Sequence, residues 1–162
     1  MKSPAIVAMA VLLASAIPLS QALALPGSSN NSSSASGPSQ AMPEMAQAQA
    51  AIKAQQWPNA IALLNKVVAA QPQNADAFNL LGYSTRKGGN PQAALAYYEK
   101  ALTLNPKHLG AHEYMGEAYL QLQQPDKAEE HLRALGPLCG YSCEEYKDLN
   151  AAIRAYKSGK SS

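Results

Sequence analysis

From Phe78 to Leu104 the apolar positions recur at three- and four-residue spacing, in two runs separated by the polar stretch Gly88-Gly89-Asn90-Pro91 and closed by Asn105-Pro106. That period predicts two helices joined by a short turn. Asn90 ahead of Pro91 supplies an N-cap and a first-turn proline for the second helix, and Pro106 stops it. Both helices carry small residues in their interior, Gly82 in the first and Ala94 and Ala101 in the second. A lone pair of helices has no use for them, so something else must pack against this unit.

Sliding the chain along itself by 34 residues shows what. Leu81-Gly82 then falls on Met115-Gly116, Pro91 on Pro125, Ala94 on Ala128 and Tyr98 on Leu132; in the other direction Ala94 falls on Ala60, Tyr98 on Leu64, Ala101 on Val67 and Pro106 on Pro72. A helix-turn-helix unit with this period, carrying Phe78, Leu81, Gly82, Ala94, Tyr98, Ala101 and Pro106, resembles the tetratricopeptide repeat over residues 41 to about 135. Thr85 departs from the pattern, where the family usually has an aromatic side chain. The resemblance implies an all-α fold, a short right-handed superhelix of about three hairpins (44–74, 75–108 and 109–135). Gly82 and Ala94 should let two helices of one hairpin approach closely, and Ala101 should leave room for the next hairpin.

The outer units are less regular. Gln47-Ala48 stands where the first unit would have its Leu-Gly pair, although Met45, Ala48, Ile52 and Trp57-Pro58 keep a helical apolar period. Leu135 replaces the second small residue of the third unit, and "GPLCG" replaces its terminal Asn-Pro. End units of a stack contact one neighbour only and need a cap. A Cys-containing turn over 136–143 should lead to it. Ser142 with Glu145 forms a capping-box pattern, and Tyr146, Leu149, Ile153 and Tyr156 form one stripe, predicting a capping helix over 143–158 and a disordered tail over 159–162.

Ahead of the repeats, Lys2, the apolar run from Ala5 to Pro18 and "ALA" at Ala22 to Ala24 form a signal-peptide pattern over 1–24, with cleavage after Ala24. The run is too short for a membrane span and Pro18 interrupts it. The Ser, Asn, Gly and Pro of 25–43 cannot offset the entropy of ordering and predict a disordered linker. Asn30 and Asn31 match the glycosylation pattern only formally. The expected localisation is periplasmic or secreted, in a bacterial source. With 162 residues, a net charge of +2 and no clustered Lys and Arg, the chain offers one modest domain and no nucleic-acid footprint.

Little catalytic chemistry stands out: no Ser-His-Asp order, no Gly-rich phosphate loop and no paired-carboxylate setting. Glu113 and Glu117 share a helical face, where such pairs are usually solvated. His108 falls in a turn and His112 at the next helix start, so they make a poor metal pair; His131 is expected on a polar face beside Glu129 and Glu130. Cys139 and Cys143 predict a structural disulfide in an exported protein, with redox exchange or soft-metal binding as the competing uses. No cofactor is expected.

In the resembled family the first helix of each hairpin lines a concave surface. Carried over by repeat position, that surface takes Met45, Gln49, Ile52 and Lys53 from the first unit; Asp76, Asn79, Tyr83, Arg86 and Lys87 from the second; and Glu113, Glu117, Leu120 and Gln121 from the third. Basic groups should sit to one side and acids to another, with Tyr83 and Leu120 as anchors. Chaperone-binding members hold a peptide's terminal carboxylate with Asn, Lys and Arg, but Leu80, Gly110 and Tyr114 stand in those places, so no such clamp is expected. The sequence therefore predicts a non-enzymatic exported adaptor that binds another protein or peptide through Asn79, Tyr83, Arg86, Lys87, Glu113, Glu117 and Leu120. The alternatives are a metal- or thiol-handling accessory using Cys139 and Cys143, and self-association through the repeats.

Overall fold

The computed structural model describes residues 43–159. The expected signal peptide, the linker up to residue 42 and the last three residues lie outside the described residues. Seven helices follow in order: α1 (Pro43–Lys53), α2 (Trp57–Ala70), α3 (Ala75–Lys87), α4 (Pro91–Leu104), α5 (Leu109–Gln121), α6 (Pro125–Cys139) and α7 (Glu144–Lys157). Among the described residues there is no strand, and no helix is long and apolar enough to cross a membrane.

The turns inside the hairpins repeat as faithfully as the helices. Gln55, Gly89 and Gln123 stand at the same repeat position, and all three take positive φ, at 56°, 98° and 59°. The next residue's N–H then reaches back five positions: Gln56 to Ala51, Asn90 to Thr85 and Gln124 to Tyr119. Each first helix thus ends in the same left-handed closure, which satisfies carbonyls that would otherwise lack partners. Glycine adopts it freely, whereas the two glutamines hold it against their own steric preference.

Three helix starts are capped from side chains. Asn74 accepts from the Ala77 N–H at 2.9 Å, Asn90 from Ala93 at 3.0 Å, and His108 through Nδ1 from Ala111 at 3.2 Å. His108 stands one period after Asn74 and does the same work, while its Nε2 lies 3.0 Å from an Asp76 carboxylate oxygen on α3.

Helices pair as α1 with α2, α3 with α4 and α5 with α6, and α2 packs on α3 and α4 on α5. The small residues sit at these contacts. A methyl group on Gly82 would stand 2.6 Å from the Tyr98 ring, which is fully buried, as are Ala94 and Ala101. A smaller apolar cluster forms around Ala48, Leu64 and Leu81. A larger one joins Leu95, Tyr98, Met115, Tyr119, Leu135, Leu149 and Ile153.

The C-terminal region differs from the sequence expectation in two details. Helix α6 does not end near residue 135 but runs through Pro137 to Cys139. Pro137 removes one backbone bond from the last turn, while buried Leu135 and half-buried Cys139, four residues apart, keep the helix face on the core. The capping box of Ser142 is also corrected: Cys143 is the N-cap of α7, without a side-chain cap bond, and Ser142 is exposed outside the helix. Glu144 and Glu145 still complement the positive end of the helix dipole. Leu149 and Ile153 are buried, with Tyr146 and Tyr156 packed around them.

Candidate partner-binding surface

The seven residues expected to line the groove separate by burial. Asn79, Arg86, Glu113 and Leu120 are buried, Tyr83 and Glu117 are half-buried, and Lys87 is exposed. The guanidinium of Arg86 lies over the Tyr83 ring at 5.7 Å and the Tyr114 ring at 5.8 Å, and Nη2 pairs with Glu117 of the next hairpin. Base and acid therefore satisfy each other between α3 and α5, rather than facing a partner from opposite sides. Removing Glu117 would leave the buried Arg86 guanidinium without its partner, at a cost of about 3–5 kcal/mol.

Helix α7 covers part of the same face. It packs on both α5 and α6, and Leu149 enters the space above Gly116, where a methyl group would stand 2.6 Å from Leu149 Cδ2. Beneath it, burial pushes the Glu113 carboxyl up to about 8, with Glu117, Asp148 and Glu145 pushing the same way. At neutral pH Glu113 is mostly uncharged, contrary to the solvated carboxylate expected from its helical spacing. A small cleft of about 130 Å³ remains beside α7, lined by Arg86, Lys87, Glu117, Leu120, Gln121 and Ala152.

The first two hairpins stay open. A cavity of about 440 Å³ is lined by Ile52, Lys53, Gln55, Trp57, Tyr83 and Lys87. Trp57 meets Tyr83 edge to face at 6.1 Å, and Tyr83 meets Tyr114 at 4.9 Å, so one aromatic ring from each hairpin forms a continuous row. Lys87 Nζ lies 5.9 Å from the Tyr83 ring. Lys53 and Lys87 are exposed, and among the described residues neither forms an ion pair. Sequence reasoning reached Ile52, Lys53, Tyr83 and Lys87 but missed Trp57 and Gln55. The available signal was a tryptophan at the first position of α2, next to the turn.

The histidines also depart from expectation. His131 is half-buried, with its Nδ1 3.0 Å from Nδ1 of His112 and its ring stacked on Tyr119. The Pro106 carbonyl accepts from His112 Nε2–H at 3.1 Å, which leaves the His112 Nδ1 facing His131. Burial, then the neighbouring His112, lowers the His131 pKa from 6.5 to about 4. The pair fastens α5 to α6.

At the turn before α7, the Cys139 and Cys143 sulfurs are 2.08 Å apart and their Cα atoms 5.9 Å apart, within the usual reach of bridged cysteines. A Glu145 carboxylate oxygen joins them in a group whose donor atoms all lie within 4.8 Å of one another.

Stacked hairpins with small residues at their contacts and a repeated left-handed turn define a tetratricopeptide-type repeat protein. A family model described as anaphase-promoting complex, cyclosome, subunit 3 matches residues 53–135, just over half of the chain, and the chain belongs to that family. No curated protein matches it in sequence. Among solved structures, the Arabidopsis OM64 TPR domain superposes with a TM-score of 0.64 at 19% identity, covering 70% of this chain and 93% of that one. The first TPR of Spaghetti (RPAP3), bound to the HSP90 peptide SRMEEVD, gives 0.64 at 17%, covering 72% and 89%. These two likenesses show the fold. MamA from Desulfovibrio magneticus RS-1 gives 0.57 at 25% identity over 59% of this chain, which spans 54% of that structure.

Proposed function

We propose that this chain is an exported, non-enzymatic adaptor that holds a segment of another protein on the open part of its concave face, between the first and second hairpins. The observation that carries the reading is the cavity between α1, α2 and α3, where Trp57 and Tyr83 are accessible beside two lysines without ion-pair partners. Rings with a polar edge, presented on a rigid scaffold, supply much contact area at little entropic cost. The Spaghetti domain with its bound peptide supports the same use of the fold. Export is supported by the signal-peptide pattern of residues 1–24, and in an oxidising compartment Cys139 and Cys143 would bridge the end of α6 to the start of α7.

The test is site-resolved cross-linking with the full chain in its own compartment. A photo-reactive group at position 53 should capture a protein that the same group at position 66, on exposed Lys66 of α2, does not. Equal capture from both positions, or none from either, would remove the reading. A second reading, metal or thiol chemistry at Cys139 and Cys143, is favoured by Glu145 lying beside both sulfurs. Free thiols and stoichiometric metal in the isolated protein would select it.

A further inference from the structure

We infer that the open cavity selects an acidic segment, seating an apolar side chain against Trp57 and Tyr83 and a neighbouring carboxylate between Lys53 and Lys87. The inference rests on the adaptor reading and adds the chemistry of the partner.

Three observations point to it. The cavity lining contains two ammonium groups and no carboxylate, so two like charges border one cleft, and among the described residues neither has an ion-pair partner. Lys53 and Lys87 occupy the same position in successive repeats, each in the last turn of its helix, and the third repeat has neutral Gln121 there. A last-turn lysine is favoured by its own helix dipole, but that accounts for each lysine singly and not for the aromatic pair between them.

The charge also changes sign along the face. Glu145 and Asp148 of α7 act on Glu113 of the third hairpin, so these two carboxylates disfavour at that end the anion that the first two hairpins attract. An acidic segment is thereby held at one end of the face and turned away from the other, which gives it position as well as affinity. The volume of about 440 Å³ lies within the range of ligand clefts and accommodates side chains of an extended segment rather than a folded domain. Leu80, Gly110 and Tyr114, the counterparts of the chaperone-type clamp, do not line this cavity.

Trp57 is the chain's one tryptophan, so its fluorescence reports directly on the cavity. The probes are three synthetic hexapeptides alternating leucine with aspartate, asparagine or lysine, titrated into the full chain. The aspartate peptide should shift Trp57 emission saturably and lose affinity as salt is raised. It should bind at least about tenfold more weakly to the double variant Lys53→Glu, Lys87→Glu, since each tenfold step needs only about 1.4 kcal/mol. The variant Lys66→Glu, Lys107→Glu carries the same change of net charge on exposed residues outside the cavity and should bind as the parent does. No saturable shift with the aspartate peptide, an equal shift with the asparagine peptide, or equal weakening in both double variants would overturn the inference. A protein cross-linked from position 53 that the aspartate peptide fails to displace would overturn it alone, leaving the adaptor reading intact. Absence of any captured protein would remove that reading first.

Discussion

Gly82 and Gly116 occupy the same place in successive repeats, and neither has room for a side chain, but different parts of the molecule fill the space above them. Over Gly82 it is Tyr98, from the second helix of the same hairpin; over Gly116 it is Leu149, from the closing helix. The counterpart of Tyr98 in the third hairpin is Leu132, a shorter side chain, which leaves the socket open to α7. The repeat thus preserves a vacancy rather than a contact. The second hairpin is complete in itself, while the third is completed by its tail.

Substituting the two occupants should separate them most clearly. Tyr98→Ala empties a fully buried site and is expected to cost about 3–5 kcal/mol, lowering the whole unfolding transition. Leu149→Ala is expected to cost about 2–4 kcal/mol, and hydrogen exchange should show α7 losing protection before α3 and α4 do. If both substitutions loosened all seven helices alike, the distinction between the two hairpins would be lost.

Glu113 tests the hold of the tail electrostatically. Its carboxyl is raised from 4.5 to about 8 in the folded chain, so unfolding releases a proton across that interval. Stability associated with the neutral carboxyl is full below pH 4.5 and lost as pH rises through 8. Glu113→Gln should therefore raise stability at pH 8 by roughly 1–2 kcal/mol, water near the site screening part of the full effect. At pH 4 the change should be small. Thermal unfolding at the two pH values decides it, and a gain at pH 4 equal to that at pH 8 would assign the effect to something other than ionisation.

The smallest effect concerns the turns. Gly89 and Gln123 share a backbone conformation and a repeat position, so Gln123→Gly should stabilise the third hairpin by about 0.5–1 kcal/mol. Gln55→Gly should do the same for the first. Chemical denaturation can resolve gains of this size if the slope of the transition is unchanged.

The repeat was legible because its constraints are local and recur: a small residue where helices approach, Asn and Pro where one starts, and apolar spacing between. The period-matched positions Gly82, Ala94 and Ala101 needed no knowledge of the tail. Burial of Arg86, Glu113 and Leu120 could not be read in the same way. It depends on the Arg86–Glu117 pair crossing hairpins and on α7 settling over α5, neither of which follows a period. Trp57 was obscured for a related reason, since one aromatic residue at a helix start looks like core until the neighbouring turn and Tyr83 are in place. His112 and His131 stand on different helices, and only their packing makes them a pair. The signal peptide and linker expectations concern residues beyond the described part of the chain.

The family match stops at residue 135, and α7 begins at Glu144. The segment that closes the last hairpin therefore lies outside the stretch that the family model matches. Two chains with interchangeable repeats and unlike tails would offer ligands different footprints, and a census of hairpins would overstate the reach of one of them. In such molecules a tail can serve as a ruler: lengthening, shortening or redirecting it retunes capacity without altering a repeat.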